Sequence, residues 1–118
     1  MKTLALCACV ALVSSLATLA VSRAASLQTT VKLDNARALV REVTYPPGTP
    51  RERSVRAMDQ IIVFLDDCKY RRTDSKTGEK TTRERKAGDV IWHNKGEDAP
   101  VLENVGAKAY RTLVIELK

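Results

Sequence analysis

From Leu27 onward the apolar residues of this chain recur at every second position, in short runs cut apart by turn residues. Successive side chains of a strand point to opposite faces, so a period of two describes strands that bury one face. Leu27, Thr29, Val31 and Leu33 alternate with Gln28, Thr30 and Lys32, which predicts a half-buried strand closed by Asp34 and Asn35. A second run, Ala38 to Tyr45, stops at Pro46-Pro-Gly-Thr-Pro50, where fixed φ angles and missing amide donors exclude regular structure. Ile61-Ile-Val-Phe-Leu65, rich in β-branched residues and bounded by Asp59 and Asp66, is too short for a helix and predicts a central strand. Ser75 to Gly78 reads as a turn between two charged strands, Ala87-Gly-Asp89 as a turn into Val90-Ile-Trp92, and Val105-Gly106 as a turn into Tyr110 to Leu117. Seven or eight strands with turns at this spacing predict an all-β sandwich or barrel.

The first residues are not expected to belong to that domain. Lys2 precedes an apolar run from Leu4 to Val21, and the small-residue segment Ser22-Arg-Ala-Ala25 follows. This order describes a secretory signal peptide over 1–24, cleaved after Ala24, and a domain over 25–118. A retained membrane anchor is the other reading, since the run is just long enough to span a bilayer. Leu6-Cys-Ala-Cys9 has the look of a lipoprotein box, but the apolar run before Cys9 is short for one. Cleavage would place the domain outside the cytoplasm, in a periplasmic or secreted setting. It would remove Cys7 and Cys9 and leave Cys68 alone, so no internal disulfide could form. Cys68 is then a buried, inert thiol or an intermolecular one. Loss of Lys2 and Arg23 would take Lys plus Arg from 20 to 18 against 14 Asp and Glu, a net charge of +4.

The last third carries a resemblance. Gly88-Asp-Val-Ile-Trp92, Glu103-Asn-Val-Gly106 and the terminal Leu113 to Lys118, with Pro46-Pro-Gly48 upstream, resemble the two signatures of small single-domain cupins. The resemblance covers residues 38–118 and implies one jelly-roll barrel, a double-stranded β-helix of the RmlC-like superfamily. It also implies a metal held inside by three imidazoles and a carboxylate. The residues at those four positions are Ser54, Arg56, Gln60 and Pro100, with Asn104 matching the terminal asparagine of the second signature. A hydroxyl, a guanidinium, an amide and a pyrrolidine are poor donors for a borderline cation, and arginine has no lone pair to give. The only histidine is His93. The expectation is therefore a degenerate metal site, with no metal and no cofactor.

Strand alternation places Ser54, Arg56, Gln60, Ile62 and Phe64 on one face, which the resemblance makes the barrel interior. A buried guanidinium must be paired or must face a ligand. Arg56 is thus half of an internal ion pair with Glu52, Asp59 or Glu103, or an anion clamp completed by Gln60 or Ser54; the ion pair is the expectation. Trp92, His93 and Asn104 are expected at the pocket rim. Between Lys69 and Lys86, eight Lys or Arg stand against three Asp or Glu. That hairpin carries the positive excess, either as an edge kept soluble by charge or as a patch for an anionic surface. Aromatic residues are only 4% of the chain, too few for a nucleic-acid interface built on stacked bases.

The function expected is that of an exported, non-enzymatic envelope protein, structural or binding a small carboxylate or a sugar. The alternatives are a metal-dependent cupin enzyme, a dioxygenase or isomerase with an atypical ligand set, and an interaction module reading an anionic envelope polymer through the 69–86 hairpin. A homodimer through the N-terminal strands is expected from the resemblance and from the need to cover an alternating edge strand.

Overall fold

A computed structural model describes residues 27–118; the leader reading lies outside the described residues. Ten strands follow one another without a helix among them: β1 (Gln28–Asp34), β2 (Ala38–Tyr45), β3 (Ser54–Val55), β4 (Asp59–Phe64), β5 (Cys68–Thr73), β6 (Lys80–Arg85), β7 (Val90–His93), β8 (Asp98–Ala99), β9 (Val101–Asn104) and β10 (Tyr110–Leu117). One sheet runs β1-β2-β10-β4-β7, a second β6-β5-β9, and β3 pairs with β8. Every named pairing is antiparallel. The two larger sheets face each other and close over a shared interior, the sheet-on-sheet solution for strands with one apolar face.

The register arranges that interior in layers. The inward residues of the five-stranded sheet form successive rows: Glu116, Gln60 and His93; then Arg41, Val114, Ile62 and Ile91; then Val43, Thr112 and Phe64; then Tyr45 and Tyr110. The row of Tyr45 and Tyr110 is sealed, with both residues buried, while Glu116 and His93 are only half-buried. Tyr45 stacks on Tyr110 at 4.7 Å between ring centroids, and Tyr70 of β5 reaches across the sheets to Phe64 at 6.2 Å and to Tyr110 at 6.4 Å. Such pairs add about 0.5–1.5 kcal/mol beyond the area they bury. The interior therefore grades from charged at one end to aromatic at the other.

Two expectations about strands need correction. The first strand is exposed along its whole length rather than half-buried. It lies at the sheet edge, paired only with β2, and its register shifts between Val31 and Leu33, so Lys32 sits at a bulge; of the alternating set, Leu27 packs against the core and Thr29 lines the cavity, while Val31 and Leu33 are exposed. The central strand is β10, flanked by β2 and β4, whereas Ile61 to Phe64 lies one place from the edge. Its apolar run arises because Ile62 and Phe64 face the interior while Ile61 and Val63 lie on the outer face between β10 and β7. The turn at Gly88 is as expected: its φ of 92° lies in the left-handed region, and its amide donates to the carbonyl of Phe64 at 2.7 Å. Cys68 is half-buried against the core, and burial pushes its thiol up to about 11, which leaves it protonated and unreactive at neutral pH.

Candidate functional site

The interior holds a cavity of about 770 Å³. Its apolar wall comes from Val43, Ile62, Phe64, Tyr70, Tyr110 and Val114; its polar wall comes from Arg41, Arg51, Arg56, Gln60, His93 and Glu116. Ser54 also lines it from β3, although its side chain is largely exposed. The face assigned to Ser54, Arg56, Gln60, Ile62 and Phe64 thus lines one cavity.

Arg56 enters from the loop between β3 and β4 and is 9% exposed. The β3–β8 side holds its backbone: its amide donates to the carbonyl of Glu97 at 3.0 Å, and its carbonyl accepts from the amide of Gly96 at 2.8 Å. Its Nη1 donates to Oε1 of Gln60 at 2.7 Å. It makes no ion pair with any described residue, and residues 1–26 contain no Asp or Glu. The internal pair expected from sequence is therefore not formed. None of its three candidate partners reaches it: Glu103 bonds Arg71 at 2.9 Å, Asp59 accepts from the amide of Lys95 at 2.8 Å, and Glu52, although it lines the cavity, is exposed and forms no ion pair with a described residue. Burial, and then the charge of Arg51, hold the Arg56 guanidinium below its usual range, with Glu97 acting in the opposite direction.

His93 lines the same polar wall. Its Nδ1 lies 3.0 Å from Oε2 of Glu97. Burial lowers its pKa; the Glu97 hydrogen bond raises it, and Arg56 lowers it further. Glu97 is held below the ordinary carboxylate range by hydrogen bonding from the Asn94 backbone and from His93. Arg41 of β2 pairs with Glu116 of β10. Arg51 donates Nη2 to the carbonyl of Pro100 at 2.6 Å and has no carboxylate partner among the described residues.

Three expected site residues lie outside the cavity wall. Pro100 is buried but contributes only that backbone carbonyl, because the wall there is made by Ala99 and Leu102 on either side of it. Trp92 is 50% exposed on the outer face, since alternation along β7 sends Ile91 and His93 inward and Trp92 outward; its Nε1 donates to Oδ1 of Asn94 at 2.9 Å. Asn104 is buried and fully used by the backbone: Nδ2 donates to the carbonyls of Tyr45 at 2.9 Å and Lys108 at 2.8 Å, and Oδ1 accepts from the amide of Gly106 at 2.8 Å. It pins the turn into β10 and does not belong to a rim. Sequence reasoning missed Arg41, Arg51 and Thr112. The alternation of Arg41 with Val43 and Tyr45 was a usable signal for the first. Arg51 has none, because it comes from the irregular segment after Pro50.

The chemistry of the wall suits an anion better than a cation. Among the described residues no three of His, Cys, Asp or Glu gather where they could share a metal ion. The residues at the positions of the four expected donors include a fixed positive charge, Arg56, which repels a divalent cation and lacks a lone pair. The metal that the resemblance implies does not fit these residues.

No family model matches the sequence, and no curated protein matches it. Solved structures do. A cupin domain from Bordetella pertussis Tohama I superposes with a TM-score of 0.71 at 21% identity, covering 81% of this chain and 97% of that one. A cupin superfamily protein from Desulfitobacterium hafniense gives 0.60 at 11% identity, covering 81% of each. A polyketide cyclase from Streptomyces resistomycificus gives 0.63 at 15% identity, covering 82% of this chain and 70% of that one. The DMSP lyase of Ruegeria pomeroyi gives 0.58 at 14% identity, over 78% of this chain and 47% of that one. Identities this low speak to architecture alone, and on architecture they agree with the strand order: the chain has the cupin fold, a single double-stranded β-helix barrel.

Proposed function

We propose that the protein is an exported, non-enzymatic binding protein whose barrel takes a small carboxylate through Arg56, the usual metal site having degenerated. The observation that carries this is the buried Arg56 guanidinium, which has Gln60 for a hydrogen bond, no carboxylate for its charge and an Nε with no partner. A buried charge in this state is costly, and an anion entering the cavity supplies what the protein withholds. Proteins of this fold include a cyclase and a lyase, so architecture does not separate binding from catalysis. The donor set suits binding: Ser54, Arg56 and Gln60 form a fork, a hydroxyl and an amide fit to hold carboxylate oxygens, while His93, the one imidazole on the wall, is engaged by Glu97. Titration calorimetry with benzoate tests the reading. The parent is expected to bind and Arg56→Met to lose binding while keeping its circular dichroism spectrum. Equal affinity of the two proteins for benzoate, or no binding by the parent, sinks it.

A second reading rests on the β5–β6 hairpin. All but one residue of β6 is exposed, and Lys69–Glu84 and Lys86–Asp67 are loose pairs at 3.9 and 3.8 Å. Arg72, Lys76, Lys80 and Arg83 pair with no carboxylate among the described residues. An anionic envelope polymer held there would dissociate as salt rises, since exposed charges are screened.

A further inference from the structure

Four buried side-chain polar atoms lack a hydrogen-bond partner among the described residues: Nε of Arg41, Nε of Arg51, Nε of Arg56 and Oγ1 of Thr112. All four residues line the one cavity. Buried polar groups in folded proteins are almost always satisfied, so four orphans spread over the lining residues of one cavity, from the charged rows to Thr112, mark it as the place where the fold leaves polar groups unmet. Thr112 is only 2% exposed and sits beyond the charged rows, toward the aromatic end.

A charge count around the cavity sharpens this. Arg41 is neutralised by Glu116, His93 is bonded to Glu97, and Arg53 is bonded to Asp98 at 2.7 Å. Glu52, the other carboxylate on the wall, is exposed and pairs with neither remaining guanidinium. Two guanidinium groups, Arg51 and Arg56, are left without a carboxylate in ion-pair contact among the described residues; the charge of Arg51 bears on Arg56, and Glu97 and Asp98 act in the opposite sense without touching it. A single carboxylate neutralises one of the two arginines. Beyond them the wall turns to Val43, Phe64, Tyr70 and Tyr110, whose polar groups, with that of Thr112, are uncharged hydroxyls, so a second anionic group at the far end of a ligand would meet no charged partner on the lining.

We infer that the ligand carries two negative charges on one head group joined to an apolar body, with Arg51 and Arg56 sharing the head and the body directed past Thr112 toward the aromatic floor. The inference rests on the reading of Arg56 as an anion clamp and adds Arg51 as the specificity-determining residue. Phosphate monoesters and geminal dicarboxylates share this chemistry, and bidentate guanidinium forks suit both.

The test uses benzoate, phenyl phosphate, phenylmalonate and inorganic phosphate, titrated calorimetrically into the protein at neutral pH. At least one of phenyl phosphate and phenylmalonate is expected to bind about tenfold more tightly than benzoate, as a second charge-assisted pair provides. Whichever does so identifies the head. Arg51→Met is expected to erase that gain, bringing the affinities for phenyl phosphate and phenylmalonate to within about twofold of that for benzoate in the same variant. Arg51→Lys, which keeps the charge and loses the fork, should retain part of the gain and guards against a folding defect in the first variant. Inorganic phosphate should bind more weakly than phenyl phosphate; equal affinity overturns the apolar body. Benzoate matching both dianionic probes, or Arg51→Met weakening all probes alike, overturns the shared head. If benzoate binds through Arg56 and the dianions gain nothing, this inference fails while the carboxylate reading stands. If no probe binds, both fail.

Discussion

At the scale of single residues, two arginines that share a cavity make opposite statements about stability. Arg41 pairs with Glu116, whose side chain is mostly buried, so Arg41→Met strands a carboxylate and is expected to cost about 1–3 kcal/mol. Arg56 neutralises no carboxylate among the described residues, so Arg56→Met removes a desolvated charge and keeps the apolar stem while giving up the bond to buried Gln60; its melting temperature is expected to stay close to the parent's. Thermal melts of the two variants side by side check this, and a large loss at Arg56 would show a carboxylate partner in the folded protein. His93 adds a pH dependence. Burial lowers its folded pKa below the unfolded value of about 6.5, so the unfolded chain binds the proton first. Stability should then fall as pH drops through the unfolded pKa toward the folded one, and level off below it. Asp66, held low by its hydrogen bonds from Arg111, contributes a separate loss below the ordinary carboxylate range. His93→Gln should flatten the melting profile in the upper window and leave the acid limb unchanged; parallel profiles for parent and variant would reject the assignment.

At the scale of elements, what could be read from the sequence was what alternation determines. The bounds of Ala38 to Tyr45 emerged as β2 because the prolines after it admit no ladder, and the inward set Gln60, Ile62 and Phe64 followed from a period of two, whereas Arg56 reaches the cavity from a loop that alternation does not govern. What depends on neighbours was not legible. The exposure of β1 comes from its edge position and bulge, the centrality of β10 from chain crossing, and the outward turn of Trp92 from a register that composition does not encode. The structural duty of Asn104 needed the carbonyls of Tyr45 and Lys108 in place before it could be recognised. The same register aligns an apolar row across the outer face of the five-stranded sheet: Leu33, Val40, Ile115, Ile61 and Trp92. Two cations of this sheet are compensated, Lys118 by Asp34 and Arg111 by Asp66, Lys32 beside Leu33 is not compensated among the described residues, and the basic hairpin belongs to the other sheet. A second copy packed about a two-fold axis meets little repulsion there, and β1 lies at its margin. The protein is therefore expected to be a homodimer by light scattering, with Leu33→Lys shifting it to monomer. A parent that stays monomeric across a concentration series rejects the pairing.

At the scale of the whole molecule, the cupin fold and its expected chemistry separate. The fold needs facing sheets, tight turns and an apolar floor, and Gly88, Pro46-Pro-Gly48 and the four stacked aromatics supply these. The metal needs convergent lone pairs, and the barrel presents guanidinium groups at its polar end instead. On the proposed reading, a guanidinium where the resemblance expects a ligand of a cation inverts the sign of what the cavity attracts without disturbing any strand, since Ser54, Arg56 and Gln60 lie at the wall and not in the core cluster. If the leader acts as expected, the exported form begins at or near Ala25, as N-terminal sequencing would show, and Cys68 is not gathered with two further metal ligands among the described residues. A metalloprotein couples binding to folding, so stripping its metal lowers its melting temperature. Here the expectation is the reverse: dialysed protein should carry far less than one equivalent of nickel, iron, manganese or zinc by elemental analysis. Excess chelator should leave its melting temperature unmoved, whereas phenyl phosphate or phenylmalonate should raise it by mass action. Stoichiometric metal surviving dialysis, with a melt that falls on chelation, would return the barrel to metal chemistry and leave Arg56 to be explained as a neighbour of the ion.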